Sequence, residues 1–67
     1  MLGLLKIRKQ KNMTQQRLAF DLDISREALS FYENGKRDPS LDMLKKMSEY
    51  SNVSIDFLIN GKDFKKR

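Results

Sequence analysis

Four times in this chain a Ser or Thr opens a short stretch with helical apolar spacing: Thr14, Ser25, Ser40 and Ser54. A small oxygen-bearing side chain at that place satisfies backbone N–H groups that the first helical turn leaves unpaired. Stops follow at similar density. Gly35 and Gly61 suit the left-handed position that ends a helix, and Pro39 disfavours helix at the residue before it. Asn12-Met13, Asp23-Ile24 and Ser51-Asn52 are further breaks. Punctuation this close permits only helices of about two to three turns.

The spacing predicts five of them, over residues 2–11, 15–22, 25–34 (with Ser25 as its cap), 41–50 and 55–60. The alternation Val53-Ser54-Ile55-Asp56-Phe57 imitates a strand, but a lone strand has no partner here, so helix is preferred. The apolar faces are Leu4 and Leu5 with Arg8 on the first helix, and Leu18, Ala19 and Leu22 on the second. Ala28, Leu29 and Tyr32 mark the third helix, and Leu41, Leu44, Met47 and Ser48 the fourth. The third helix is unusual in its other side. Arg26, Glu27, Ser30, Phe31 and Asn34 lie opposite its apolar residues, a mixed basic, hydroxyl, amide and aromatic stripe.

Composition narrows the chemistry. With 67 residues, the chain sits near the lower size limit for a domain without a disulfide or metal. It has neither Cys nor His, which removes the common zinc and haem ligand sets and the usual base of a nucleophilic pair. Asp38, Asp42 and Asp56 are scattered, and Gly3, Gly35 and Gly61 are isolated, so neither a metal cluster nor a nucleotide loop is expected. We expect no catalytic residue, metal, cofactor or small-molecule ligand, and hence no enzyme. No apolar run spans a membrane or forms a signal-peptide core, and the expected location is the cytoplasm, at the nucleoid.

The net charge of +5 is unevenly spread: residues 1–37 carry +4, residues 38–61 carry −2 and residues 62–67 carry +3. That asymmetry suits a molecule with one polyanion-facing side, although a basic surface kept only for solubility has the same composition. Residues 1–61 read as one domain and residues 62–67 as a basic tail.

A helix pair that docks on duplex DNA needs a small residue where the helices cross, supplied by Ala19. It needs anchors toward a third element, supplied by Leu18, Leu22, Ile24, Leu29 and Tyr32. It also needs an accessible second helix to enter the major groove. Thr14-Gln15, Leu18-Ala19, Leu22-Asp23-Ile24-Ser25 and the unbroken string from Leu29 to Leu41 (LSFYENGKRDPSL) meet those needs in one register.

Together they resemble the helix-turn-helix domain of the phage-repressor/Cro, or xenobiotic-response-element (XRE), type. Leu44–Ser48 and Val53–Ile59 stand in the positions of that family's fourth and fifth helices. The resemblance covers residues 4–60. It implies an all-α, five-helix, lambda-repressor-like fold whose second and third helices form the helix-turn-helix.

The resemblance also implies roles. Ser25, Arg26, Glu27, Ser30 and Phe31 fall at base-contacting positions. Arginine can clamp guanine O6 and N7, and glutamate can accept from cytosine N4. Glu27 could instead pair with Arg26 or a lysine, or repel the wrong sequence. Phe31 could meet a thymine methyl or pack against a neighbouring loop.

Gln15, Asn34, Lys36 and Arg37 match positions that approach phosphates, contacts that place a protein on DNA without reading it. Gln15 could equally be a solvated polar residue. Arg8 and Glu33 match a partly buried ion pair joining the first and third helices. Asp23 departs from the glycine usual in the turn; aspartate tolerates the left-handed conformation better than most residues.

The function so implied is a transcriptional regulator, a repressor, binding double-stranded DNA as a homodimer on a palindromic operator with half-sites ~34 Å apart. Val53, Ile55, Phe57, Ile59 and Phe64 are more apolar surface than so small a bundle can hide; most of them suit the core, and Phe57 and Phe64 are the best candidates for the dimer interface. The alternative is an antitoxin or anti-regulator module whose main partner is another protein, because the same fold serves both roles.

Overall fold

The computed structural model describes residues 1–62. Phe64 and the rest of the basic tail expected over residues 62–67 lie outside the described residues, apart from exposed Lys62. Five helices follow one another: α1 (Leu2–Gln10), α2 (Gln15–Leu22), α3 (Arg26–Asn34), α4 (Leu41–Ser51) and α5 (Ile55–Asn60). Among the described residues there is no strand.

The four hydroxyl caps do what their positions predict. Thr14, Ser25, Ser40 and Ser54 accept from the backbone N–H of Arg17, Ala28, Met43 and Phe57 at 3.0–3.1 Å. The stops are left-handed residues: Asp23 at φ 62°, Gly35 at 76°, Asn52 at 58° and Gly61 at 81°. Asp23 therefore adopts the conformation its place in the turn demands. Two boundaries differ from the sequence reading by one residue. α1 ends at Gln10, with Lys11 as its cap, and α4 runs on to Ser51, because Asn52 rather than Ser51 makes the left-handed turn.

Leu4, Ile7, Leu18, Ala19, Leu22, Leu29, Met47 and Leu58 form the core. Three apolar faces need correction. On α1 the buried residues are Gly3, Leu4 and Ile7, while Leu5 is only half-buried. The reason is a close approach of α5 at Gly3, which turns the contact face of α1 toward residues 3, 4 and 7. On α4, Leu41 is 63% exposed. It is the first residue of its helix, nearly two turns before Met47, which enters the core. On α3, the buried positions are Leu29 and Glu33, with Ala28 and Tyr32 half-buried.

A polar link ties α2 to α4. The Tyr50 hydroxyl donates to Asp21 Oδ2 at 2.5 Å, and Arg17 Nε bridges to Asp21 Oδ1 at 3.2 Å. The Tyr50 bond is the main reason that the Asp21 carboxyl lies below its usual 3.8, with Arg17 adding to it; the same bond, followed by burial, lifts Tyr50 above 10.0.

The signs give a window. A depressed carboxylate stabilises the fold above its unfolded pKa and loses that as pH falls through the folded value. A raised phenol stabilises below its unfolded pKa and loses that as pH rises through the folded value. The stability difference between the wild type and Tyr50→Phe is therefore expected to be present between about pH 4 and pH 10 and to shrink beyond each end. Thermal melts across pH measure it; a difference that persists unchanged at pH 2 would show that the hydroxyl acts through packing alone.

Candidate nucleic-acid interface

α3 is held to the bundle by one narrow face. Leu29 is fully buried, and beside it, one turn on, the Glu33 side chain is only 2% exposed. A carboxylate so placed must be hydrogen-bonded. Glu33 accepts from Arg8 Nε at 2.7 Å through Oε2, and through Oε1 from Arg8 Nη2 at 3.2 Å and Gln15 Nε2 at 3.0 Å. Arg8 Nη1 also donates to the Met13 carbonyl at 3.0 Å. One acidic side chain thus fastens α3 to α1, to the start of α2 and, through Arg8, to the loop between them. The Arg8–Glu33 pair implied by the family resemblance is present in the structure.

Gln15 takes part in this network, which the sequence reading did not foresee. It lies half-buried, and one amide N–H is committed to Glu33. An amide –NH₂ carries two N–H groups, so one remains for an outside acceptor.

Tyr32 packs partly against the core beside Leu29 and Glu33, and the opposite side of α3 faces outward. Ser25, Arg26, Glu27 and Asn34 are exposed, Phe31 is 38% exposed and Ser30 is half-buried. Asn34 Nδ2 donates to Ser30 Oγ at 3.3 Å. With that oxygen accepting, the Ser30 hydroxyl proton is available as a donor. In the loop after the helix, Lys36 and Arg37 are exposed, and the Arg37 guanidinium carbon lies 5.2 Å from the centre of the Phe31 ring. The neighbour of Phe31 is thus a basic side chain rather than an apolar loop wall.

One surface residue escaped the sequence reading. Phe20 is 80% exposed. It lines an open groove of about 390 Å³, with Gln16, Ala19, Ile24 and Arg26, between α2 and the start of α3. A signal was available: two residues along a helix is about 200° of rotation, so Phe20 stands nearly opposite Leu18.

Two short helices meeting at a tight left-handed turn, the second capped by a serine and accessible along one side, define a helix-turn-helix protein. Comparison with known proteins agrees. A family model described as helix-turn-helix matches residues 4–58. The HTH-type transcriptional activator BcrR of Enterococcus faecalis is 42% identical over 58 residues, covering 87% of this chain and 28% of that protein. The uncharacterized HTH-type transcriptional regulator YqaE of Bacillus subtilis (strain 168) is 43% identical over 64 residues, 96% of this chain and 55% of that protein. Control protein C.BamHI of Bacillus amyloliquefaciens is 38% identical over 56 residues, 78% and 69% of the two chains.

The chain thus spans between about a quarter and just over half of the first two relatives. No solved structure matches it significantly. The chain belongs to the XRE-type helix-turn-helix family of DNA-binding transcriptional regulators. No helix among the described residues is long and apolar enough to cross a membrane.

Proposed function

We propose that the chain binds double-stranded DNA sequence-specifically, as a homodimeric repressor on a palindromic operator. The observation that carries the reading is the sidedness of α3. Leu29 and Glu33 anchor it, while Ser25, Arg26, Glu27 and Phe31 stay accessible along the side that would enter a major groove. Ser30, half-buried, offers a hydroxyl donor beside them. Gln15, Asn34, Lys36 and Arg37 flank that side and are our candidates for phosphate contacts. The second N–H of Gln15 would make the Glu33 network part of the docking surface.

Apolar surface supports the homodimer. Leu41 and Ile59 are exposed, and Ile59 lines a groove of about 290 Å³ with Met1, Asp38, Pro39 and Leu44. Phe57, by contrast, is packed partly against the core, so Ile59 and Leu41 are the better interface candidates. Repression would follow from occluding polymerase at an overlapping promoter.

Selection of bound fragments from random duplex DNA tests the reading. A recovered inverted repeat and a steep loss of affinity with salt are the expected results; equal binding to random duplex at all salt concentrations would overturn it. A reporter driven by the recovered operator should fall when the chain is supplied, and a rise would make it an activator.

Base and phosphate contacts separate by mutation. Arg26→Ala is expected to lose about 1–3 kcal/mol of discrimination at one or two base pairs, while Lys36→Ala weakens all sequences alike. Competition binding with single-base operator variants measures both. An intact preference in Arg26→Ala would remove that residue from direct readout.

The second reading, an antitoxin or anti-regulator module bound mainly to another protein, is favoured by Phe20, a large ring exposed beside the α2–α3 groove. Phe20→Ala should leave operator affinity unchanged under either reading. It abolishes regulation without loss of DNA binding only if a protein docks there.

A further inference from the structure

Backbone hydrogen bonds fix the turn that follows Phe31. Lys36 N donates to the Phe31 carbonyl at 2.9 Å and Gly35 N to the Tyr32 carbonyl at 3.3 Å. This pair of bonds reverses the chain over the last turn of α3. Gly35 makes the reversal at φ 76°, and a Cβ there would meet nothing within 4 Å, so glycine is required for its backbone angle and not for space. The reversal brings Arg37 back over the ring.

A guanidinium is planar and is attracted to the negative face of an aromatic ring. Arg37 therefore lies over one side of Phe31, while over a third of the residue remains open on the outer side of α3. On base edges in the major groove, the one apolar group is the C5 methyl of a pyrimidine; the other groups are donors and acceptors that a ring would desolvate without replacing their bonds. Five residues of helix separate Phe31 from Arg26, a rise of about 7.5 Å, or roughly two base-pair steps.

We propose that Phe31, steadied by Arg37, is a receptor for the C5-methyl group of a pyrimidine about two base pairs from the contact of Arg26. Arg37 is then a positioning residue as well as a cation facing the backbone. The inference rests on the DNA-binding reading above. The recognised chemistry is the methyl itself, carried by thymine always and by cytosine only after C5 methylation.

The test uses the duplex recovered by selection, with each thymine replaced in turn by deoxyuridine, a change that removes only the methyl. At one thymine per half-site the replacement is expected to weaken binding about three- to fivefold, the worth of one buried methyl. Cytosine at that place weakens binding further, and 5-methylcytosine regains about the same factor. Phe31→Ala abolishes the thymine–deoxyuridine difference.

Arg37→Lys keeps the charge and loses the plane. It should at least halve the difference in log affinity while leaving the salt dependence unchanged. Arg37→Gln should lower the salt slope by about one as well.

Deoxyuridine tolerated at every position overturns the receptor, and an unchanged difference in Arg37→Lys overturns the positioning role. Both results leave the DNA-binding reading standing. A selection that yields no preferred duplex overturns the reading and the inference together.

Discussion

Glu33→Ala is expected to lower the unfolding free energy by about 3–5 kcal/mol. The mutation removes the carboxylate of a side chain that is 2% exposed and leaves the Arg8 side chain, itself only 14% exposed, without its counter-charge. It also takes the hydrogen-bond acceptor from the Gln15 amide. A domain of this size has roughly 3–10 kcal/mol of total stability, so the variant should be largely unfolded at moderate urea. Urea melts followed by circular dichroism measure the loss.

The expected cost comes mainly from stranding a charge, not from the net worth of the pair. Replacing both partners, Arg8→Met with Glu33→Leu, should therefore recover most of the stability. The double variant then separates stability from function. If it folds yet binds DNA poorly, the network serves chiefly to orient Gln15 and the start of α2. A loss in Glu33→Ala below about 1 kcal/mol would mean that water replaces the carboxylate and that the pair does not hold α3.

Gly3→Ala is expected to destabilise by about 3 kcal/mol, the upper part of the usual range for overpacking. Helix propensity alone predicts the opposite sign, a gain of about 0.5–1 kcal/mol for alanine in a helix interior. Geometry decides between them. A Cβ on Gly3 would lie 1.7 Å from the Phe57 carbonyl oxygen, 2.6 Å from its carbon and 2.8 Å from Leu58 Cα.

These are backbone atoms of α5, so no rotamer change relieves the clash and the two helices must separate. Leu4 and Leu58, both fully buried, would lose packing as they do. A melting temperature roughly 12–24 °C below wild type follows for a domain of this length. A melt equal to or above wild type would show that α1 and α5 slide apart freely. Because Ile59 of α5 is part of the proposed dimer surface, the same variant should also weaken cooperative operator binding.

The two substitutions mark how far local pattern carries. The cap hydroxyls, the left-handed stops and the helices between them were legible because each is settled by atoms within about four residues along the chain. Asp23 is a case in point: its place in the turn called for a positive φ, and it has one. The accessible stripe of α3 was legible for the same reason, since a helix carries its own period.

Glu33 and Arg8, 25 residues apart, were paired by likeness to a family, and no local rule joins them. Gly3 looked incidental because its meaning lies in a helix more than fifty residues away. Leu5 and Leu41 were misplaced because periodicity defines a stripe without saying where along it, or at what angle, a neighbouring helix will lie. Phe20 had a wheel position but no visible neighbour, and the place of Arg37 over Phe31 depended on how one tight turn re-enters the helix.

The chain's own order of residues thus settles which segments are helical, where they begin and stop, and which side of α3 is polar. Crossing angles and close approaches between helices settle the rest: which carboxylate is buried, which amide it holds and which ring an arginine covers. The division has a physical cause. Backbone capping and side-chain period act over a few ångströms of contiguous chain, whereas burial and pairing exist only once distant segments have met.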